Sequence, residues 1–309
     1  MVSAVHRLIE DEGVERARFL AATKAERREV DAAAAVLAEE VSRLGITHAG
    51  FAMTSLPHKR VEDTVWERKG YLTTLLVESG LDRLRQPIGV PFGPLARMIL
   101  LYLQTEAIRT GSPEVVLGRS MNAWMDRLGI ARGGKSRTLV SEQAKRISAC
   151  RLTFFTTRGA AELRQNGAFV RDAISLTGLL DADQPTLWQD RVRLDEGFWK
   201  SLRAHPVPVR EEAIFAIGSR SMAIDIYIWL AYRLHSLTEE TPVSWPAMYG
   251  QFGGGYALQR QFRPKFIDSL KLALAVYPEA RVDILDEGLV LHPSAPAVPR
   301  HEAKRLGIG

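Results

Sequence analysis

Apolar positions recur at helical spacing through most of the chain and are broken by short alternating runs. The densest stretch is SMAIDIYIWLAYRLHSL (residues 221–237), a predicted helix with apolar residues on nearly every side. Tyr227 and Trp229 lie on it and are expected to be structural, buried between modules. An extended piece, TPVSW, follows, then a short helix ending at Gly253 and a Gly-Gly-Gly turn. The next segment, YALQRQFRPKFIDSLKLALAV (residues 256–276), is a basic amphipathic helix whose core stripe holds Leu258, Phe262, Phe266, Leu270 and Ala273. Two short β runs, residues 281–285 and 289–292, join at Asp286-Glu287-Gly288.

The same order occurs upstream. LARMILLYLQTEAIR (residues 95–109) is a predicted helix and EVVL a strand. Ser120 is placed to N-cap a short helix that stops at Gly129. A helix over residues 136–150 and a strand over residues 151–157 complete the copy. A shift of 124 positions lays Ser120 on Ser244, Leu128 on Phe252 and Gly129 on Gly253. Helix, strand, helix, helix and hairpin is the order of a winged helix, which sets one helix in a DNA groove and its hairpin along the backbone. Between the copies, residues 168–176 and 189–194 read as strands enlarging the first wing, and residues 195–204 as a helix with Phe198, Trp199 and Leu202 inside. Turn signals stand at Gly159, Asn166-Gly167 and residues 181–185.

Residues 1–45 read as helix closed by Gly45, docking on the body or on a second subunit. Residues 71–78 read as a strand, and Pro and Gly punctuate residues 87–94. The expected class is α+β, mainly helical, with two tandem winged-helix domains and an N-terminal helical/β extension. The expected boundaries are an extension at 1–91, a first module at 92–204 and a second module at 205–309. The tail after Pro293 is expected to be mobile.

Composition narrows the chemistry. No run of about 18 apolar residues marks a membrane span, and the charged N-terminus lacks a signal-peptide core, so a cytoplasmic location is expected. A single cysteine, Cys150, excludes an internal disulfide and a cysteine cluster; it reads as a small buried hydrophobe. The seven histidines form no i, i+4 pair, and His235 reads as a cap on the C-terminal end of its helix. No catalytic residue, metal or cofactor is expected. The net charge of +5 favours an anionic partner.

The positive charge is concentrated. Residues 132–164 hold eight basic and two acidic side chains, and the third helix of the first copy offers Arg132, Lys135, Arg137, Ser141, Lys145 and Arg146 to phosphate. Its counterpart offers Arg260, Gln261, Arg263, Lys265 and Lys271, of which Arg and Gln can bond base edges bidentately. Pro264 donates no amide, so it either begins that helix or kinks it; in the first case the reading residues lie in a loop. Residues 129–136 also fit the phosphate-loop pattern G-x-x-x-x-G-K-[ST], with Lys135 and Ser136 in the ligand positions. The expected order before them is helical, whereas that motif leaves a strand. A nucleotide hydrolase is therefore one alternative, and a winged-helix transcriptional regulator another.

Several phrases resemble the RepA-type replication initiators of bacterial plasmids. They are FGPLARMILLYLQTEAIRTGSPEVVLGRSMNAWMDRLG, GGKSRTLVSEQAKRISACRLTF, DIYIWLAYRLHSL, PVSWPAMYGQFG and LALAVYPEARVDI, and the resemblance spans about residues 50–293. It implies a protein that binds double-stranded DNA at repeated sites, or iterons, of a plasmid origin. It also implies help in opening the duplex and recruitment of the host replication initiator and helicase. It further implies a monomer–dimer equilibrium, with the dimer repressing its own gene. In such proteins the first winged helix serves dimerisation and backbone contact, and the second reads bases.

Overall fold

The computed structural model describes residues 4–39, 43–70, 72–158, 161–172 and 191–305. The turns expected at residue 159 and at residues 181–185, and the outer ends of two expected strands at 173–176 and 189–190, lie outside them. The chain opens with α1 (Ala4–Glu12), α2 (Val14–Leu20), α3 (Lys24–Leu37), β1 (Leu44–His48), α4 (Ala49–Met53), β2 (Val65–Lys69) and β3 (Thr73–Glu78). It continues with α5 (Gly93–Thr110), β4 (Glu114–Val116), α6 (Met121–Arg127), α7 (Gly134–Ala149), β5 (Arg151–Arg158), β6 (Ala161–Ala168), β7 (Val170–Asp172), β8 (Arg191–Leu194) and α8 (Glu196–Ala204). The last part holds β9 (Pro206–Arg210), α9 (Glu211–Ile217), α10 (Ser221–Arg233), β10 (Thr241–Ser244), α11 (Trp245–Phe252), α12 (Gln259–Ala275), β11 (Val282–Ile284), β12 (Gly288–Leu291) and α13 (Arg300–Arg305). The class is α+β, mainly helical, and no helix among the described residues is long and apolar enough to cross a membrane.

Two compact units result, Met1–Gly45 with Val207–Gly309, and Ile46–Pro206. The Pro/Gly punctuation near residue 91 is therefore not a unit boundary. Strands β2 and β3, before it, and β5 and β6, after it, form one antiparallel sheet in the order β2-β3-β5-β6. Six pairs from Thr73↔Thr156 to Glu78↔Arg151 join β3 to β5. A shared hydrogen-bond ladder binds segments that local turn residues would separate.

Each unit holds one copy of the repeated order. In the 46–206 unit, α5, β4, α6 and α7 are followed by β7 and β8 in a sheet ordered β4-β8-β7. In the other, α10, β10, α11 and α12 are followed by β11 and β12 in a sheet ordered β10-β12-β11. Both sheets are antiparallel with the last strand in the middle. The caps repeat too: Ser120 Oγ accepts from the Ala123 amide and Ser244 Oγ from the Ala247 amide. The expected wing strand at residues 151–157 is corrected: β5 belongs to the sheet of β2 and β3. The segments expected only to enlarge that wing, β7 and β8, occupy the places of β11 and β12.

Residues 1–45, expected as helix closed by Gly45, instead hold three helices and the start of β1 among their described residues. Helix α3 starts at a capping box, with Glu26 donating its amide to Thr23 Oγ1 and Thr23 donating to the Glu26 carboxylate. It ends at Leu37, and Gly45 lies inside β1 rather than closing a helix. Extended backbone is favoured there because α5 offers partners for it: Thr105 Oγ1 accepts from the Ile46 amide and Gln104 Oε1 from the His48 amide, both at 2.8 Å. The described part of the tail, residues 294–305, packs on the unit. Ala297 and Val298 are buried and the Tyr277 hydroxyl donates to the Ala295 carbonyl at 2.7 Å.

Tyr227 and Trp229 are interior groups of their own unit. The Tyr227 hydroxyl accepts from the Arg210 amide, and the Trp229 ring stands edge-on to Phe252 at 5.6 Å. His235 Nδ1 meets the Ala231 carbonyl at 2.9 Å, as expected of a group that closes its helix. Cys150 is buried at the end of α7, where desolvation pushes its thiol up to about 12.

His48 gives the fold a pH dependence. Its Nδ1 accepts from the Gly50 amide at 2.9 Å, so the neutral ring carries its proton on Nε2 and donates to Ser201 Oγ at 2.8 Å. Phe154 and Phe198 flank it, and burial lowers its pKa to about 3. Below the unfolded value of about 6.5 the unfolded chain takes up a proton that the folded chain refuses. His48 therefore stabilises the fold fully above that value, and the contribution is lost as pH falls from 6.5 towards 3. The slope reaches at most about 1.4 kcal/mol per pH unit. Denaturant unfolding of the wild type and His48→Gln at pH 7, 5.5 and 4.5 checks this; the wild type should show the steeper acid loss.

Candidate nucleic-acid interface

The first candidate surface is the start of α7. The loop that leads into it follows α6, and Gly129 turns the chain at φ +67°. Arg132 Nε donates to Asp126 Oδ1 at 2.8 Å, and that pairing holds the Asp126 carboxyl below its ordinary range. Arg137 donates to Asn122 Oδ1 at 2.9 Å. Both arginines are thus tethered to α6 while remaining exposed, and exposed Lys135 stands between them on the first turn. Tethering limits the rotamer entropy lost when a guanidinium meets an anion. Lys145 is half-buried further along the helix.

Two expected contacts are not on the surface. Ser141 is buried, and Arg146 is an internal strut. Its Nη1 donates to the Val90 carbonyl at 3.0 Å, its Nη2 to Glu142 at 2.9 Å, and its guanidinium lies over Phe92 at 5.1 Å. Gly89 packs against that guanidinium at φ +93°, where a side chain would fit neither the backbone nor the space. The charge that made Arg146 look like a phosphate ligand serves the fold.

The second candidate surface is the start of α12. Leu258 is its N-cap, and Arg260 and Gln261 are exposed on the first turn. Pro264 lies inside the helix, so it neither begins it nor pushes the reading residues into a loop. Arg263 is half-buried, its guanidinium over Trp245 at 4.7 Å, and Lys265 is exposed. Lys271 is not part of this group. It lies about 16 Å further along the axis, beside Glu26 and Glu29 of α3. Burial raises the Glu29 carboxyl, and the Lys271 charge opposes that shift.

The described residues of the two hairpins differ in sign. In the first copy Arg171, Arg191 and Arg193 are exposed on β7 and β8, and Arg119 precedes the α6 cap. These were absent from the expected contacts, although the alternation of RVRL, with Val192 and Leu194 buried, already assigns both arginines to the solvent face. Arg191 pairs with Glu114 at 2.6 Å. In the second copy the hairpin exposes Asp283, Asp286 and Glu287. A hairpin lying along a phosphate backbone is expected from sequence; these carboxylates repel one.

Arg137→Ala should leave stability nearly unchanged and flatten the salt dependence of DNA affinity by about one unit. Arg146→Ala should lower unfolding free energy by about 2–3 kcal/mol through the unpaired Val90 carbonyl and the weakened pairing of Glu142, which keeps Arg60 at 3.7 Å. It should leave the salt slope of the folded protein unchanged. Denaturation and salt-series binding titrations on both variants check the assignment.

A comparison with curated protein sequences gave no significant match. Among solved structures, the crystal structure of selenomethionine derivatives of domains 2 and 3 of RctB is similar with a TM-score of 0.50 at 10% identity. The match covers 81% of this chain and 97% of that one, and the likeness is one of fold. A second structure of RctB domains 2–3 has a TM-score of 0.45 at 9% identity, covering 78% and 93%. The family described as plasmid-encoded RepA protein matches residues 90–245, from just before α5 to the first residue of α11. That match covers just over half of the sequence, and the chain belongs to this RepA family.

Proposed function

We propose that the chain is a replication initiator of a bacterial plasmid, cytoplasmic and without catalytic activity, acting through two winged helices. It binds double-stranded DNA at repeated sites of the plasmid origin, assists opening, and recruits the host replication initiator and helicase. As a dimer it represses its own gene. The observation that carries the reading is membership of the RepA family over residues 90–245. The DNA half is further supported by the twice-used element order and by the cationic first turns of α7 and α12.

The two copies divide the labour. Arg260, Gln261 and Arg263 reach base edges, whereas Lys135, Arg137 and Lys145, with Arg191 and Arg193 on the hairpin, suit phosphate. Arg260→Ala should reduce the preference for an origin repeat over a scrambled duplex by about 1–3 kcal/mol. Lys135→Ala and Lys145→Ala should weaken both affinities together. Paired titrations on the two duplexes decide it, and the opposite pattern would place base reading in the first copy. Replication of an origin plasmid in cells separates an initiator from a transcriptional regulator on the same scaffold.

The motif at residues 129–136 favours a second reading, a nucleotide phosphate loop. The loop joins α6 to α7, and a helix leads into it rather than a strand. Lys135 is accordingly assigned to DNA phosphate. The purified protein should show no saturable, magnesium-dependent ATP binding that Lys135→Ala abolishes; equilibrium dialysis with labelled ATP tests this.

A further inference from the structure

We propose that Trp245 and Asp286 are positioning residues for Arg263, and that the second hairpin serves sequence recognition through that arginine rather than by touching phosphate. The inference rests on the reading of α12 as the base-reading helix.

Three elements meet at one guanidinium. Arg263 Nη2, from α12, donates to the Leu285 carbonyl and to Asp286 Oδ1, both at 3.3 Å, in the turn of the hairpin. The guanidinium carbon lies 4.7 Å from the centre of the Trp245 ring, at the start of α11. The Trp245 indole N–H in turn donates to the Asp286 carbonyl at 2.9 Å, and its backbone amide donates to the Glu287 carbonyl at 3.1 Å. The indole therefore holds the turn with its edge and the arginine with its face. Trp245 itself is buried edge-on to Phe266 at 6.0 Å, so the platform is anchored in the core.

The consequences follow from the donor geometry. Arg has five N–H donors in a rigid plane, and bonding guanine bidentately requires that plane to be held at one angle. The turn engages Nη2 and the ring fixes the plane, so the remaining N–H donors meet a base edge at one set angle. The Asp286 side chain is 98% exposed, so its pairing adds little to stability. With Asp283 and Glu287 it also makes the hairpin tip acidic, which disfavours loose binding to any phosphate backbone.

The test uses the full chain with an origin repeat and a scrambled duplex at two salt concentrations. Asp286→Asn should tighten scrambled-duplex binding about twofold or more and reduce the origin-to-scrambled ratio about fivefold. Asp286→Glu should restore most of the ratio. Trp245→Phe keeps a ring but loses the N–H; it should lower the ratio with an unchanged salt slope, which a purely structural role would not do. If Asp286→Asn and Trp245→Phe keep the wild-type ratio while Arg263→Ala collapses it, the positioning role is wrong and base reading by α12 stands. If Arg263→Ala leaves a clear wild-type preference intact, the inference also falls. A wild type with no preference for the repeat overturns the base-reading assignment, and this inference with it.

Discussion

Helix α12 remains helical through its own proline because an aromatic cluster grips both sides of it. Pro264 supplies no amide for the Arg260 carbonyl and crowds the preceding turn, which costs an isolated helix about 3 kcal/mol. Phe262 and Phe266, two residues either side of it, are fully buried with their rings 5.2 Å apart. Tyr249 and Tyr256 close on Phe262, and Phe252 and Trp245 on Phe266. Burying a large aromatic ring is worth several times a lost helical hydrogen bond. The cluster thereby sets where Arg260, Gln261 and Arg263 stand, and it uses α11 and the hairpin to do so.

The two copies use the same scaffold with different electrostatics. In both, a serine caps a short helix, a longer helix follows, and three antiparallel strands pair with the last strand in the middle. The first copy surrounds this frame with cations on α7, β7 and β8. The second has fewer cations, an acidic hairpin, and an arginine held on an aromatic face. Affinity that ignores sequence comes from charge, and discrimination comes from oriented donors. A chain that carries one copy of each kind can separate the two tasks, and this separation supports the division of labour proposed above.

Arg146 shows how burial reverses the meaning of a charge. Lys145 and Arg146 are neighbours in sequence, yet one is half-exposed and the other spans from Glu142 to the Val90 carbonyl. Adjacent helical residues differ by about 100° around the axis. A basic run on a helix must therefore place some of its members inward, and a buried cation persists only where acceptors have been arranged for it. The Val90 acceptor comes from a loop far earlier in the chain, beyond the reach of any local pattern.

Periodicity and turn chemistry in the sequence alone determined most helices, the cap at Ser120, the repeat at 124 residues and the cationic start of α7. These depend on spacing within a few residues, which the sequence states directly. The phrases that resemble RepA proteins likewise mark the family in the sequence itself. Tertiary structure alone decided that β5 joins β3, that the chain leaves the helix after Leu37, and that Ala297 and Val298 pack. It also decided that Pro264 is tolerated and that Arg146 is a strut. Each of these outcomes balances a local preference of about 1–3 kcal/mol against partners distant in the chain. Where strand pairing or aromatic burial stabilises by more than that local preference, the local signal is overruled.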